Sequence, residues 1–418
     1  MIIDAKKYAG KCICGEAHKL STELCVIEAG CLNKIDEYLS KYGLMGHCTA
    51  VYDRNTYNAD GLVRPNADHE VILDPTDLHA NEHGVDLLWD QLPRETEFMI
   101  AVGAGTIHDI TRYCAYKKGI PFVSCPTAAS VDGFCSSVAA MTWEGAKKTL
   151  TAVSPKIVLA DLNVISKAPM HLARSGFGDM IGKYIALADW KIANILTGEY
   201  FCSRIHDIMM EATNAVKESS IGIAKGDVAS YEKLTYGLLM SGLAMQMLGN
   251  SRPASGAEHH ISHLIEMAPE GIGVCSDALH GEKVGVATLL ACEEYHRLAL
   301  VDNTEWSDYP IITDEYLMNT FGKRLYKQLV AENKKDAATG ITGEQINEHW
   351  KKICEIIEDI PSTKELSELY GKIGVKSSLA AIGVNEDKAE LLLETSPCVR
   401  NRLTLMRLRR ACNHMQDI

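Results

Sequence analysis

The sequence lacks several features that would assign it to a large class of proteins. No run of about 18 apolar residues occurs, so no segment is predicted to cross a membrane. The first residues, MIIDAKKYAGKC, have neither a long apolar core nor a small-residue cleavage site, and no signal peptide is predicted. Basic residues are in deficit: 42 Lys and Arg stand against 55 Asp and Glu, for a net charge of −13. Such a surface repels phosphate backbones, so nucleic acid is not expected as a partner.

The cysteines lack a repeated spacing, although the chain contains 14 of them. Without an export signal, we interpret them as reduced thiols of a cytoplasmic protein. Cys12-Ile13-Cys14, followed by His18, is a possible metal clip. Because it has neither CxxC spacing nor a second pair, buried or idle thiols are the preferred interpretation and a metal site is the alternative.

The pattern of the chain changes near residue 168. Before that point, short β-branched runs alternate with amphipathic stretches, which predicts a parallel sheet covered by helices. After it, the hydrophobic period is almost entirely helical. We therefore expect an α/β domain over residues 1–168 and an all-α domain over 169–418. The predicted strands are residues 23–28, 47–53, 69–74, 98–103, 121–125 and 156–161.

A glycine loop follows the fourth predicted strand. Gly103 and Gly105 can let the backbone approach a pyrophosphate, which the N-terminus of the next helix would favour. The dinucleotide fingerprint requires a third glycine where this chain has His108, and an acid about 20 residues later; neither is present. Thr106 and Asp109 also fit a capping box, so an ordinary strand–helix turn is the alternative.

Acidic and imidazole side chains in the second half of the chain indicate a metal site. If 257–268 is a helix, His259 and His263 share one face, and His280 opens another helix. Together with Asp179, His259 and His280 would supply three ligands and leave a coordination position open, as in catalytic divalent sites. The alternative is that each is an ordinary helix-start or surface residue, because spacing alone does not show that they converge.

Several stretches together resemble one known family. They are the glycine loop, CPTAASVDGFCSSVAAM (125–141), IVLADLNVISKAP (157–169), SGFGDMIGKYIALADW (175–190), SRPASGAEHHISH (251–263) and LHGEKVG (279–285). Over nearly its whole length the chain resembles the bacterial sn-glycerol-1-phosphate dehydrogenases. That family belongs to the superfamily of iron-containing alcohol dehydrogenases, glycerol dehydrogenase and dehydroquinate synthase. The resemblance implies a nucleotide-binding α/β domain followed by a helical metal-binding domain.

The resemblance also implies roles for individual residues. Asp179, His259 and His280 would bind one divalent cation, and their donor set suits zinc, nickel or iron alike. The cofactor would be NAD(H) or NADP(H), with an acid near the adenosine ribose, the glycine loop on the pyrophosphate and hydroxyls beside the nicotinamide. The residues assigned to it are Asp53, Gly103, Gly105, Thr106, Asp109, Thr127 and Ser136.

The implied reaction is hydride transfer between dihydroxyacetone phosphate and sn-glycerol 1-phosphate. Asp132 matches a residue that contacts the substrate and is a candidate catalytic residue. His263 is a second candidate, either as a proton relay or as a residue that orients a ligand. Arg252 is expected to bind the substrate phosphate. Lys147, Lys148 and Lys156 are further candidates for the phosphate, although solvated surface charges are the preferred interpretation of these lysines.

Cofactor preference and alternative functions follow from the same residues. A carboxylate at Asp53 favours a ribose 2′-hydroxyl, so NAD(H) should be accepted at least as well as NADP(H). A polyol dehydrogenase acting on free glycerol and a dehydroquinate synthase-like cyclase or lyase with catalytic NAD are the enzymatic alternatives. A metal-binding protein without turnover is the non-enzymatic one. The family expectation for assembly is a homodimer or a higher homo-oligomer.

Overall fold

The chain divides into two compact units, each made from two segments. The computed structural model describes residues 1–301 and 306–413. The first unit contains residues 1–180 and 211–250, and the second contains residues 181–210 and those from 251 onward. The boundary predicted at residue 168 lies inside the first unit and stays a prediction about domain organisation.

The strands of the described residues all lie in the first unit. They are β1 (Ile2–Asp4), β2 (Gly10–Lys11), β3 (Ala17–His18), β4 (Leu24–Glu28), β5 (Cys48–Asp53), β6 (His69–Leu73), β7 (Phe98–Gly103), β8 (Phe122–Pro126), β9 (Val138–Trp143), β10 (Ala146–Thr151) and β11 (Ile157–Asp161). Seven form the main sheet, in the order β1-β4-β11-β8-β7-β5-β6. All neighbours in it run parallel except β1, which is antiparallel to β4. The six predicted strands and the predicted parallel sheet are confirmed.

The central strands are buried along their whole length, which explains their continuous apolar runs. Every residue of β7, β8 and β11 is buried, as expected when helices cover both faces of a parallel sheet. Register pairs Gly103 at the end of β7 with Pro126 at the end of β8. The neighbouring strand β5 ends at Asp53. The carboxyl ends of these three strands therefore lie at one edge, where ligands bind in sheets of this kind.

The helices continue to the C-terminal end of the described residues. They are α1 (Ile35–Lys41), α2 (Arg54–Tyr57), α3 (Glu82–Trp89), α4 (Gly105–Lys118), α5 (Leu162–Ile165), α6 (Met170–Ile181), α7 (Lys183–Thr197), α8 (Ser203–Glu218), α9 (Ser220–Ala224), α10 (Val228–Leu248), α11 (Ala257–Met267), α12 (His280–Leu298), α13 (Asp314–Phe321), α14 (Lys323–Asn333), α15 (Gly343–Glu358), α16 (Thr363–Ile373), α17 (Ala389–Thr395) and α18 (Leu405–Leu408). Among the residues described, none of them combines the length and the apolarity needed to span a membrane.

Two packed helices of the second unit position the predicted histidines. α11 is buried on almost all sides, and α12 packs against it. α12 begins at His280 because the Glu282 carboxylate accepts a hydrogen bond from Leu279 N at 2.9 Å and satisfies the start of the helix. Both helices predicted from the histidine segments are thus present.

Candidate functional site

The glycine turn ends β7 and begins α4 in the first unit. α4 starts at Gly105, and no side chain of the described residues caps its first turn. The predicted capping box of Thr106 and Asp109 is therefore wrong. Thr106 already lies within the helix, and the Asp109 carboxylate pairs with another residue, with its Oδ1 3.5 Å from Arg112 Nη1. N–H groups that no side chain caps at a helix N-terminus favour an anion, so the turn fits a pyrophosphate.

Glycine is required in this turn because neighbouring side chains occupy the space of a Cβ. A Cβ on Gly103 would lie 2.7 Å from the Cβ of Ile107, and one on Gly105 would lie 3.2 Å from Val131 Cγ1. Thr127, just after β8, donates from its backbone N to the Gly103 carbonyl at 3.0 Å. The turn is thus packed closely against the helix and bonded to the next strand end.

His108 occupies the place of the missing third glycine and is buried behind the turn. Its Nδ1 lies 3.0 Å from the Ala104 carbonyl oxygen, and its Nε2 lies 2.8 Å from Ser124 Oγ. Burial lowers the pKa of His108 to about 3. The neutral ring therefore donates from Nδ1 to the carbonyl and accepts the serine proton at Nε2. This residue stabilises the turn, and the sequence shows it only as a departure from the fingerprint.

Asp53 caps the short helix α2 that follows its strand. Its Oδ1 accepts a hydrogen bond from Thr56 N at 2.8 Å, and Thr56 Oγ1 accepts one from Asp53 N at 3.1 Å. These bonds form a capping box at the start of α2. Thr127 and Ser136, the predicted nicotinamide residues, are both buried. The cofactor roles of all three residues stay predictions.

Asp132 and Asp179 are joined by a hydrogen bond within the first unit. The backbone N of Asp132 donates to Asp179 Oδ2 at 3.1 Å, and Asp132 Oδ2 accepts from Ser241 Oγ at 2.7 Å. Asp179 is fully buried. Its helix, α6, lies close to the Ala129 backbone, and the glycine at position 176 permits this: a Cβ there would lie 2.1 Å from the Ala129 carbonyl oxygen. The carboxylate of Asp179 is thus held in a fixed position.

Three histidines meet where α11 packs on α12 in the second unit. The ring centroids of His259 and His280 are 5.4 Å apart. The centroid of the His263 ring lies 5.9 Å from that of His259 and 5.7 Å from that of His280. One ring nitrogen of His259 lies within 4.8 Å of one of His280. His260 is also buried, but neither of its ring nitrogens has a hydrogen-bond partner in residues 1–301 and 306–413.

Two buried glutamates orient the two predicted ligands. His259 Nδ1 lies 2.6 Å from Glu258 Oε1, and His280 Nδ1 lies 2.8 Å from Glu266 Oε1. An ionised carboxylate only accepts hydrogen bonds, so each Nδ1 carries the proton and each Nε2 keeps the lone pair that binds a metal. This arrangement fits two imidazole ligands of a divalent transition metal.

Glu266 serves more than one neighbour. Its Oε2 lies 3.3 Å from His263 Nδ1, and its Oε1 lies 3.4 Å from Lys283 Nζ. Burial alone would raise the pKa of Glu266, but the interactions with His280 and His263 hold it well below its usual range. Glu258 and Glu266 were not predicted from the sequence. The one available signal was their position near the histidines: Glu258 directly precedes His259, and Glu266 follows His263 by three residues.

Arg252, the arginine predicted to bind the phosphate, forms an ion pair with Glu199 in the structure. Arg252 is buried, and its Nε and Nη2 each lie 2.8 Å from a carboxylate oxygen of Glu199. Its Nη2 also donates to the Leu403 carbonyl at 2.6 Å. A second cation, Arg400, acts near the histidines: burial lowers the pKa of His263 to about 3, and the charge of Arg400 works in the same direction. The phosphate role of Arg252 stays a prediction.

Two of the three candidate lysines are paired with acids. Lys148 contacts the Glu144 carboxylate, and Lys156 Nζ lies 3.9 Å from Glu23 Oε1.

Comparisons with known proteins identify the family. Residues 26–169 match the family of iron-containing alcohol dehydrogenases. A glycerol-1-phosphate dehydrogenase from Halalkalibacterium halodurans, whose name gives NAD(P)+ as its cofactor, is 32% identical over 97% of this chain and 97% of its own. The chain belongs to the glycerol-1-phosphate dehydrogenase family. The predicted resemblance is therefore confirmed.

Several solved structures have the same fold as this chain. A probable glycerol dehydrogenase from Sinorhizobium meliloti has a TM-score of 0.60 at 17% identity and covers 93% of this chain and 94% of its own. Glycerol dehydrogenase from Schizosaccharomyces pombe has a TM-score of 0.55 at 20% identity, over 83% and 91%. The predicted fold class, a nucleotide-binding type α/β region followed by helices, is confirmed.

Proposed function

We propose that the protein interconverts sn-glycerol 1-phosphate and dihydroxyacetone phosphate, with NAD(P) as hydride carrier and a divalent cation bound. Membership of the glycerol-1-phosphate dehydrogenase family supports the substrate and the cofactor. The observation that carries the proposal is the pair His259 and His280, each held at Nδ1 by a buried glutamate. Such an arrangement leaves both Nε2 atoms oriented for a metal.

The proposed ligands are Asp179, His259 and His280. The carboxylate of Asp179 is buried and held by the Asp132 N–H. Zinc, nickel and iron(II) all accept one carboxylate and two imidazoles. When bound, such a cation supplies Lewis acidity that polarises the ketone and stabilises developing alkoxide charge.

The proposed cofactor site is the carboxyl edge of the sheet in the first unit. The uncapped first turn of α4, at Gly105 and Thr106, supports binding of the pyrophosphate. Gly103 keeps that turn closely packed, and Asp109, within α4, is proposed as a further cofactor-binding residue. Asp53, at the end of the neighbouring strand, would accept hydrogen bonds from ribose hydroxyls. The nicotinamide would lie beside Thr127 and Ser136.

The proposed substrate contacts combine positioning and charge. Asp132 would bind a substrate hydroxyl, with Ser241 fixing the orientation of its carboxylate at 2.7 Å. His263 would hold Glu266 in place or move a proton. Arg252 is proposed for the phosphate, with Arg400 as the alternative because its charge acts on His263. We further propose a homodimer or higher homo-oligomer and a cytoplasmic location.

A second candidate function has one observation in its favour. Arg252 already forms a two-pronged ion pair with Glu199, which would suit an enzyme that oxidises free glycerol and needs no phosphate contact. The metal and cofactor sites would be the same in both cases. An Arg252→Ala variant separates them if it loses affinity for the phosphorylated substrate and keeps it for the free polyol.

The decisive assay uses metal-reconstituted enzyme with dihydroxyacetone phosphate and either NADH or NADPH, followed by chiral analysis of the product. We expect coenzyme oxidation and sn-glycerol 1-phosphate. Faster reduction of free dihydroxyacetone would support the polyol dehydrogenase instead. If coenzyme is never consumed while substrate is, the protein is a cyclase or lyase that regenerates bound NAD.

A further inference from the structure

The hairpin formed by β2 and β3 carries a cluster that the proposed reaction does not use. Cys12 and Cys14 lie at its tip, and His18 lies on the returning strand. Cys12 N donates to the Glu16 carbonyl at 2.9 Å, and Gly15 N donates to the Cys12 carbonyl at 3.1 Å. This tight turn brings the chain back, so the histidine stands beside the thiols.

The three side chains present their donor atoms to one another. His18 Nε2 lies 3.5 Å from Cys14 Sγ, and one donor atom from each of Cys12, Cys14 and His18 lies within 4.8 Å of the other two. His18 Nδ1 lies 2.9 Å from the Met247 carbonyl oxygen. A carbonyl only accepts, so Nδ1 carries the proton and the lone pair of Nε2 is directed at the thiols.

These distances match tetrahedral coordination by zinc. Zn–S bonds of about 2.3 Å and Zn–N bonds of about 2.0 Å place the sulfur and the nitrogen about 3.5 Å apart. The separation of Cys14 Sγ and His18 Nε2 is 3.5 Å. A backbone carbonyl on the other ring nitrogen is the usual outer partner of a metal-binding histidine. We propose that Cys12, Cys14 and His18 bind a zinc ion, separate from the proposed catalytic cation.

The hairpin needs a stabilising cross-link because it has almost no core. Its strands have two residues each, and isolated two-stranded hairpins are marginal in water. Ile13 at the tip is 86% exposed, whereas His18 is 4% exposed. A zinc ion would join the tip to β3 and, through His18, to the end of α10 at Met247. Metal binding would then contribute to folding, with release of two thiol protons.

The donor types indicate which ion would be bound. Two thiolates and one imidazole are soft and borderline ligands, which select zinc over magnesium or calcium. The sequence argued against a site because the spacing is CxC and no second pair follows. In the structure, the histidine on the returning strand supplies a third donor beside the two thiols. The absorption spectrum of the cobalt-substituted enzyme counts the thiolates that bind the ion.

The test is the absorption spectrum of the full-length enzyme with cobalt(II) in place of its native metal. Thiolate-bound cobalt gives an intense charge-transfer band in the near ultraviolet, with an intensity that grows with the number of thiolates. The proposed catalytic ligands contain no thiolate, so this band reports only on the hairpin. Wild-type protein should show the band and bind about two metal ions per chain, one at each proposed site.

Matched variants locate the thiolates. Cys12→Ser and Cys14→Ser should each weaken or abolish the band and remove about one metal ion per chain. Cys354→Ser is the control, because Cys354 is similarly half-buried but lies on α15 in the second unit; its band should be unchanged. A wild-type spectrum without the band would overturn the proposal even if no variant folds. So would a band that persists unchanged in both hairpin variants. Neither result depends on turnover, so the proposed function is tested separately.

Discussion

The glycine turn of the first unit and the histidine pair of the second unit are suited to their proposed ligands in opposite ways. At the turn, the proposed binding groups are backbone N–H groups, and the side chains of Ile107 and His108 shape the backbone. At α11 and α12, the proposed binding groups are side chains, and buried glutamate side chains set their orientation. The two regions should therefore respond differently to substitution: the first through packing, the second through loss of a donor or of its orienting charge.

The largest effect is expected from removing a metal ligand. His259→Ala should lower the metal content by one ion and kcat by at least about a thousandfold, because a metal Lewis acid contributes several kcal/mol. Metal analysis with steady-state kinetics checks this. His349→Ala, which removes a histidine from α15, is the control and should behave as wild type. A His259→Ala enzyme with full metal content would contradict the ligand assignment.

Removing an orienting charge should cost less than removing the ligand itself. Glu266→Gln keeps an oxygen that accepts from His280 Nδ1 but loses the negative charge, and Glu258→Gln does the same for His259. We expect metal affinity to fall about 10- to 100-fold in each case. Competition with a chelator measures it. If the affinity is unchanged while the melting temperature falls, the glutamates only support packing.

A substitution that crowds the glycine turn should distort its backbone without removing any of the proposed binding groups. In Gly103→Ala the new Cβ would lie 2.7 Å from Ile107 Cβ. We expect a loss of about 1–3 kcal/mol in stability, as for other overpacked sites, and a roughly tenfold weaker NAD(H) affinity, or about 1.4 kcal/mol. Metal content should not change. Calorimetry and cofactor titration measure both quantities.

Two further variants sharpen the glycine prediction. Adding Ile107→Ala to Gly103→Ala removes two of the three closest atoms, so part of the affinity should return. Gly371→Ala is the control, because nothing lies within 4 Å of a Cβ there. If the double variant binds the cofactor no better than Gly103→Ala, the effect does not come from this contact.

The sheet could be predicted from the sequence because its central strands are continuous apolar runs. The six parallel strands appear within two residues of their predicted limits. The hairpins β2–β3 and β9–β10 were not predicted. β2, Gly10–Lys11, is two exposed residues long and has no apolar pattern. β9 does alternate, with Ala139 and Met141 buried, so its pattern was present in the sequence but was missed. The capping box predicted for Thr106 and Asp109 is wrong because the sequence spacing allowed it but the helix begins before Thr106.

The proposed metal ligands were easier to recognise in the sequence than the residues that orient them. His259 and His280 stand out by residue type and by helical spacing. Glu258, Glu266 and His108 act through hydrogen bonds that exist only once helices and strands pack together. A single acidic residue beside a histidine is common, so adjacency alone does not distinguish them.

Cofactor preference offers a smaller test in which the fold stays intact. Asp53→Asn removes the charge but keeps a side-chain oxygen that can cap α2. If Asp53 repels a 2′-phosphate, the ratio of kcat/KM for NADPH to that for NADH should rise about tenfold. The melting temperature should stay near that of wild type. A wild-type preference for NADP(H) above about tenfold would refute this use of Asp53.

The smallest effect on activity is expected at His108, whose contribution behind the turn is to stability. Its folded pKa of about 3 lies below the ordinary 6.5, because the ring is buried between Ser124 and Phe134 and faces the Arg112 charge. As the pH falls below 6.5, His108 becomes protonated in the unfolded chain but stays neutral in the folded protein. The free energy of unfolding should therefore decrease between about pH 6.5 and pH 3, by up to about 1.4 kcal/mol per pH unit.

A variant that cannot titrate isolates this contribution from all other acids and bases. His108→Gln keeps a donor and an acceptor but has no ionisation in this range. Urea unfolding at about pH 7 and about pH 5 should therefore show a shallower loss of stability in the variant than in wild type, by roughly 1–2 kcal/mol. Because the glutamine can keep hydrogen bonds to the Ala104 carbonyl and to Ser124, NAD(H) affinity at neutral pH should change far less than in Gly103→Ala. Equal pH slopes in the two proteins would mean that His108 accepts a proton in the folded state, and its assignment as a neutral buried support of the turn would be wrong.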